Sequence, residues 1–100
     1  MKGEKEMKET RTEEILAERE KTHGSYSKVS VTAQRIKEIL RAGPSYEGAT
    51  FVQRESLDMI AAKLARIVNG NSFHEDSWAD IAGYATLVVK AIQEGKLGAF

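Results

Sequence analysis

The stretch from Phe51 to Asn69, FVQRESLDMIAAKLARIVN, constrains the fold more than any other. Leu57, Ile60, Ala61, Leu64, Ile67 and Val68 recur at spacings of three and four, which draws one apolar stripe along a helix. Thr50 followed by Gln53 forms a capping box at its start, and NGNS breaks the pattern at its end. An isolated amphipathic helix of this length is marginal in water, because most of its stability comes from burying the stripe. The rest of the chain must therefore supply helices to cover it.

It has the residues to do so. TRTE at 10–13 fits a capping box and predicts a first helix over about 11–22, with Ile15 and Leu16 inward and Gly24 ending it. Ser25 or Ser27 can cap a second, over about 26–42, with Val29, Ala33, Ile36 and Ile39/Leu40 on its apolar face. Gly43 and Pro44 close it, and GPSYEGAT reads as a loop. Ser72 with Glu75 makes a further capping box, opening a last helix over about 73–94 with Gly95 beyond its end. Its inward face is expected to hold Trp78, Ile81, Ala82, Ala85, Val88, Val89 and Ile92. With one proline, frequent Ala and Leu and 30% charged residues, the fold class is all-α, a bundle of about four helices.

Residues 1–9 are rich in Lys and Glu and nearly free of apolar side chains, so they read as a disordered charged tail. The folded domain is then 10–95, and 96–100 form a C-terminal tail. The first residues lack the apolar run of a signal peptide, and no apolar run approaches the ~18 residues of a membrane span. A cytoplasmic protein is the expectation. Equal numbers of basic and acidic residues, 15 of each, argue against general nucleic-acid binding. The absence of cysteine excludes disulfides and thiolate metal sites.

Within HEDSWADIAGYA, residues 74–85, three choices are poor for a helix interior: Asp76, Asp80 and Gly83. Each costs a few tenths to about 1 kcal/mol against Ala. Asp76 and Asp80 share a face, with Gly83 one turn beyond. On the preceding helix Glu55 and Asp58 are neighbours at a spacing of three, flanked by Ala61, Ala62 and Ala65. Short oxygen ligands on rigid helices suit Mg²⁺, with Mn²⁺ as a substitute. An equally physical reading gives Glu55, Asp58, Glu75 and Asp76 to the helix macrodipole, worth about 0.3–1 kcal/mol each. That reading accounts less well for Asp80 and not for Gly83. Strict antiparallel pairing of the two helices would put the two acid pairs at opposite ends of the hairpin. An oblique crossing or a second subunit would then be needed, which favours a homodimer or homotetramer. Lys63 and Arg66 could bind phosphate or be solvated surface charge. Tyr84 lies beside Asp80, Trp78 reads as core, His74 as a cap or surface residue, and His23 precedes the glycine that stops the first helix.

The spacing resembles the all-α NTP pyrophosphatase superfamily, which includes MazG and the dimeric dUTPases. Its pattern is ExxE, a gap of one to two dozen residues, then ExxD. Here Glu55-x-x-Asp58 stands for the first motif, and Ser77-x-x-Asp80 occupies the second after eighteen residues. The chain is also similar to small phage and prophage MazG-like proteins through EREKTHGSY, QRESLDMIAAKLARI and DSWADIAGYA, which occur in order over about 13–94. Two positions depart from the pattern: Asp58 is one methylene shorter than Glu, and Ser77 replaces an acid, with Asp76 as the expected substitute.

The resemblance implies hydrolysis of a (d)NTP to the monophosphate and pyrophosphate. Glu55, Asp58, Asp76 and Asp80 would hold Mg²⁺, and Glu55 would orient the attacking water. Lys63 and Arg66 would grip phosphate, and His23, Tyr26 and Tyr84 would contact base or sugar. The alternatives are a non-catalytic helical interaction protein, or a nucleotide-binding regulator with a degenerate site.

Overall fold

In a computed structural model, residues 2–95 are described, with side chains from Thr10 onward, and no strand occurs among them. Four helices follow in order: α1 (Lys2–His23), α2 (Tyr26–Arg41), α3 (Phe51–Asn69) and α4 (Glu75–Gln93). The fold is all-α, and α3 is its spine, packed chiefly between α2 and α4 while α1 touches it only lightly. The expected tail 96–100 lies outside the described residues. No helix among those described is long and apolar enough to cross a membrane.

The helix α3 begins and ends where its local signals place it. The Thr50 side chain accepts from the Gln53 N–H at 3.3 Å, and the Gln53 Oε1 accepts from the Thr50 N–H at 2.8 Å. This reciprocal box satisfies two of the donors that a helix start leaves open. Ala61 and Ala65 are fully buried and Ile67 nearly so, whereas Val68, at the edge of the stripe, is exposed. Alanines at the contact allow the neighbouring helix backbones to approach closely. On α2, Ala33 is buried, and Val29, Ile36 and Leu40 are partly covered.

Two helix starts differ from expectation, and a third forms where expected but without its side-chain cap. Helix α1 starts at Lys2, not near residue 11, so it runs through the stretch read as a disordered tail, and Thr10 is a helix interior residue. Straight-chain Lys and Glu are good helix formers and offer no stop signal there. Ser25 occupies the N-cap of α2 without a side-chain bond. The Ser72–Glu75 box does not form: α4 starts at Glu75 with His74 as its N-cap. Asn71 governs that turn instead. Its side chain accepts from the Phe73 N–H at 3.0 Å, and its carbonyl accepts from the His74 N–H at 3.1 Å.

The expected inward faces also need correction. Ile15 and Leu16 are about half exposed, because α1 has little helix surface against it. On α4 the covered stripe is Ser77, Ile81, Tyr84, Val88 and Ala91, one residue away from the expected one. Ser77 is 4% exposed, whereas Trp78 is 52%, and Ala82, Ala85, Val89 and Ile92 are all exposed. The cause is the number of neighbours. One helix covers one face of another, and α4 has α3 as its main neighbour, so the second apolar stripe is left uncovered.

Two glycines hold α1 to the tip of the α3–α4 hairpin. Gly24 has φ +86°, and a Cβ there would overlap the Asn69 carbonyl. A Cβ on Gly70 would overlap the backbone of Thr22 and His23. The contact is sealed by the Asn71 N–H, which donates to the Thr22 carbonyl at 2.7 Å. Asn69 extends the junction to α2, donating from Nδ2 to Thr32 Oγ1 at 3.0 Å and to the Ala65 carbonyl at 2.8 Å.

Candidate functional site

One ion pair marks the register of the α3–α4 hairpin. Lys63 Nζ lies 3.0 Å from Asp80 Oδ2, with the Lys63 side chain 14% and the Asp80 side chain 48% exposed. The helices are antiparallel, so each step forward on α3 from Lys63 is a step back on α4 from Asp80. A cleft lined by Ser56, Leu57, Ile60, Ala85 and Val88 agrees with that register.

The register decides which acids can meet. Asp58 is level with position 85, five residues from Asp80, or about 7.5 Å along the axis. Asp76 is level with Ile67, twelve residues from Glu55, or about 18 Å. Asp76 is almost fully exposed and faces the His74 imidazole, with Nε2 3.9 Å from Oδ2. Glu55 is exposed on the α3 flank that also carries Ala62 and Arg66. Asp58 borders the same flank and points toward α2, where Arg41 Nη2 is 3.9 Å from its Oδ1. The structure thus puts Glu55, Arg66, Lys63 and Asp80 on one side of the hairpin with Asp58 at its border, and Asp76 lies one turn from Asp80 toward the tip.

This arrangement bears on a divalent cation. Among the described residues, no three His, Cys, Asp or Glu side chains are placed to hold one. The four-carboxylate set therefore does not converge within one chain. Mg²⁺ commonly takes only one or two carboxylates and fills its octahedron with water and phosphate oxygens. Asp58 and Asp80 each face a cationic side chain and keep exposed surface, and they are separated by about 7.5 Å along the axis.

Tyr84 is half-buried and, with Asp80, Gly83 and Leu87, lines an open groove on α4. A Cβ at Gly83 would meet nothing within 4 Å, so packing within the chain does not require glycine there. Tyr26 is 86% exposed at the start of α2 and makes no part of this flank.

His23 lies at the junction of α1, α3 and α4. Its Nδ1 is buried without a hydrogen-bond partner, and its ring meets His74 edge-on at 5.5 Å. Burial, then the nearby charges of Arg66, His74, Lys63 and Arg19, hold its pKa below the ordinary imidazole value. The neutral form is the one that fits the fold. In the unfolded chain the ring regains its ordinary pKa of about 6.5 and binds a proton more readily. Stability is thus full above that value and falls as the pH drops through the window below it. The melting temperature is expected to decline from pH 7 toward pH 5, and His23→Gln should flatten that decline. An unchanged slope in the variant would assign it to other groups.

Sequence reasoning missed Arg41 and Asn69. Arg41 reaches Asp58 only because α2 folds back across the 42–50 loop, and no local spacing signals that. Asn69 carried a better signal, since an Asn followed by Gly and Asn at a helix end is a site for side-chain bonds to backbone.

Fold and site together define a small all-α protein built on an antiparallel helix hairpin with charged residues along one flank. The chain belongs to the family described as a domain of unknown function (DUF6378), which matches residues 6–92. No curated protein and no solved structure matches it.

Proposed function

We propose that this protein is a Mg²⁺-dependent nucleoside triphosphate pyrophosphohydrolase, converting a (d)NTP to the (d)NMP and pyrophosphate, and that it works as a homo-oligomer. The observation that carries the reading is the Lys63–Asp80 pair at 3.0 Å, with Glu55, Asp58 and Arg66 on the same flank. It places acids and bases side by side, as a site for an anionic substrate with a cation requires. The second support is the resemblance of three ordered segments to MazG-like pyrophosphatases.

Asp80 and Asp58 would hold Mg²⁺, with Glu55 one turn from Asp58 and about 12 Å along the axis from Asp80, and the ion would neutralise charge developing on the phosphates. Lys63, freed from Asp80, and Arg66 would bind the β- and γ-phosphate oxygens. The Glu55 carboxylate would accept a proton from water as its oxygen attacks the α-phosphorus. The bond from the α-phosphorus to the bridging oxygen breaks, and pyrophosphate leaves with that oxygen. Tyr84 would meet the nucleoside from α4, His23 would contact it from the α1 side, and Tyr26 would reach substrate only from a neighbouring subunit. Asp76, one turn from Asp80 on the same helix face, would approach the ion from the tip side. The proposed setting is the cytoplasm, of the host if the protein is phage-encoded. Pyrophosphate release from (d)NTPs with Mg²⁺ or Mn²⁺ tests the reading.

A second reading has its own support. Asp58 and Asp80 already have cationic partners, and α4 exposes an apolar stripe. Both fit a non-catalytic interaction protein, which predicts no rise in melting temperature with metal and nucleotide.

A further inference from the structure

Folding gathers basic side chains where α1 ends against the hairpin. Arg19 and His23 are four residues apart on one face of α1, about 6 Å along its axis. On the other side of the contact, Lys63, Arg66 and the C-cap Gly70 follow α3 at spacings of three and four, again on one face. Gly70 brings that face against α1, since a Cβ there would overlap the His23 backbone. His74, the N-cap of α4, meets the His23 ring edge-on at 5.5 Å. Three helices thus deliver basic groups to one junction.

The junction holds more positive charge than the fold neutralises. Lys63 is paired with Asp80 at 3.0 Å, and His74 faces Asp76 at 3.9 Å. Arg19 and Arg66 take part in no ion pair or hydrogen bond among the described residues. Between them His23 keeps a buried Nδ1 without a partner. A cation in the last turn of a helix is favoured by the macrodipole, which is reason enough for a single basic residue at each helix end. The same dipole would raise the pKa of His23, the last residue of α1. Instead burial, then the charges of Arg66, His74, Lys63 and Arg19, hold it below the ordinary imidazole value. The cations and burial together outweigh the dipole, so the ring sits in a positive field that no acid of the chain cancels.

That field selects an anion, and the donors narrow its class. A guanidinium presents a planar fork that matches two oxygens of a phosphate. Arg19 and Arg66 come from different helices, so the two oxygens of a lone carboxylate serve only one fork. A phosphate or pyrophosphate group carries oxygens in several directions and serves both. Such an anion also acts on α1. This helix is held to the hairpin tip by the Asn71 N–H on the Thr22 carbonyl at 2.7 Å and by the Gly24 and Gly70 contacts, and it packs lightly elsewhere. An oxyanion between Arg19 and Arg66 adds a second tie between α1 and α3.

We propose that the junction of α1, α3 and α4 is a metal-independent site for a phosphate oxyanion, with Arg19 and Arg66 as its two forks, and that the bound anion fastens α1 to the hairpin. The inference rests on the reading above for its ligand class, since Lys63 and Arg66 take phosphate oxygens there, and it adds Arg19 as the residue that reaches the anion from α1. The phosphate comes either from free pyrophosphate or from the polyphosphate of a nucleotide.

The test is isothermal titration of the full chain with sodium pyrophosphate in EDTA, at an ionic strength fixed with chloride. The wild type should bind saturably with a Kd below about 1 mM. Arg19→Gln and Arg66→Gln should each weaken binding about tenfold or more. Arg19→Lys, which keeps the charge and loses the fork, should recover only part of the affinity. Arg19 is exposed and unpaired, so its variants should keep the helical circular dichroism of the wild type. Pyrophosphate should also slow amide hydrogen exchange at the end of α1 in the wild type and not in Arg19→Gln. A nucleoside triphosphate titrated in the same way identifies the source: equal affinity means that the site reads phosphates alone, and tighter binding that Arg19→Gln weakens means that it reads the nucleotide. Binding by a chain that turns over no nucleotide would support the site and fail the catalytic reading. Turnover with pyrophosphate affinity unchanged in Arg19→Gln would overturn the site and leave the catalytic reading standing. A folded wild type that binds no pyrophosphate without metal would overturn the proposal as well.

Discussion

Replacing Asp80 with Asn is expected to reduce pyrophosphate release from nucleoside triphosphates about a thousandfold, since a lost metal-binding carboxylate removes several kcal/mol of transition-state stabilisation. The fold should survive. Asp80 is half exposed, and its pair with Lys63 is partly screened, so its loss should cost about 1 kcal/mol or less. Glu55→Gln should match it in activity and cost still less stability, because Glu55 is exposed. The two variants separate the catalytic reading from the interaction reading, which gives neither residue a role in turnover. Full activity in both, with helical content intact, would remove Glu55 and Asp80 from the mechanism.

The largest effect on stability is expected at Gly24. Its φ of +86° lies in the left-handed region, and a side chain there would meet the Asn69 carbonyl. Left-handed backbone alone costs an L-residue about 1–2 kcal/mol. Gly95 isolates that contribution, since it has φ +67° and open space around it. Gly95→Ala should therefore lower the melting temperature by the strain alone. Gly24→Ala adds the displacement of α1 from the hairpin tip, breaking the Asn71–Thr22 hydrogen bond. A total of about 2–4 kcal/mol corresponds to a drop of roughly 10–25 °C in a domain of this size. Thermal unfolding of both variants checks this. Equal drops would mean that the close approach of Gly24 to Asn69 carries no energy.

The elements that local chemistry defines were legible in the sequence. The helix α3 is bounded by a capping box that forms as read and by the break at NGNS, and its alanines mark the buried contact. The start of α4 was not legible, although Ser72 and Glu75 have capping-box spacing. Ser72 lies in a turn that the Asn71 side chain shapes, and the Ser72 carbonyl is taken by Trp78. The roll of α4 was hidden for a different reason. Its two apolar stripes are one residue apart, and the more hydrophobic one, with Trp78, is not the one α3 covers. Only the tertiary contact chooses between them, through the Lys63–Asp80 pair on one edge and Ser77 at the centre. Burial of Ser77 also changes the meaning of the motif departure. An acid at that position would point into the α3–α4 contact, so within this chain serine suits packing.

The charged flank was legible in part. Glu55 and Asp58 follow from spacing on one helix, and Asp80 from its resemblance to ExxD. The pairing of Lys63 with Asp80, and of Arg41 with Asp58, depends on how helices distant in sequence align, which periodicity does not encode. The expected tension between the two acid pairs is seen in the register, with Glu55 and Asp76 about 18 Å apart along the hairpin.

The most direct test of the pyrophosphohydrolase reading is pyrophosphate release by the purified full chain, screened over the common NTPs and dNTPs with Mg²⁺ and with Mn²⁺. The account predicts metal-dependent release of pyrophosphate, matched by the nucleoside monophosphate, from at least one of them, and its loss on chelation. No pyrophosphate from any nucleotide with either metal, from a folded wild-type protein, would contradict it.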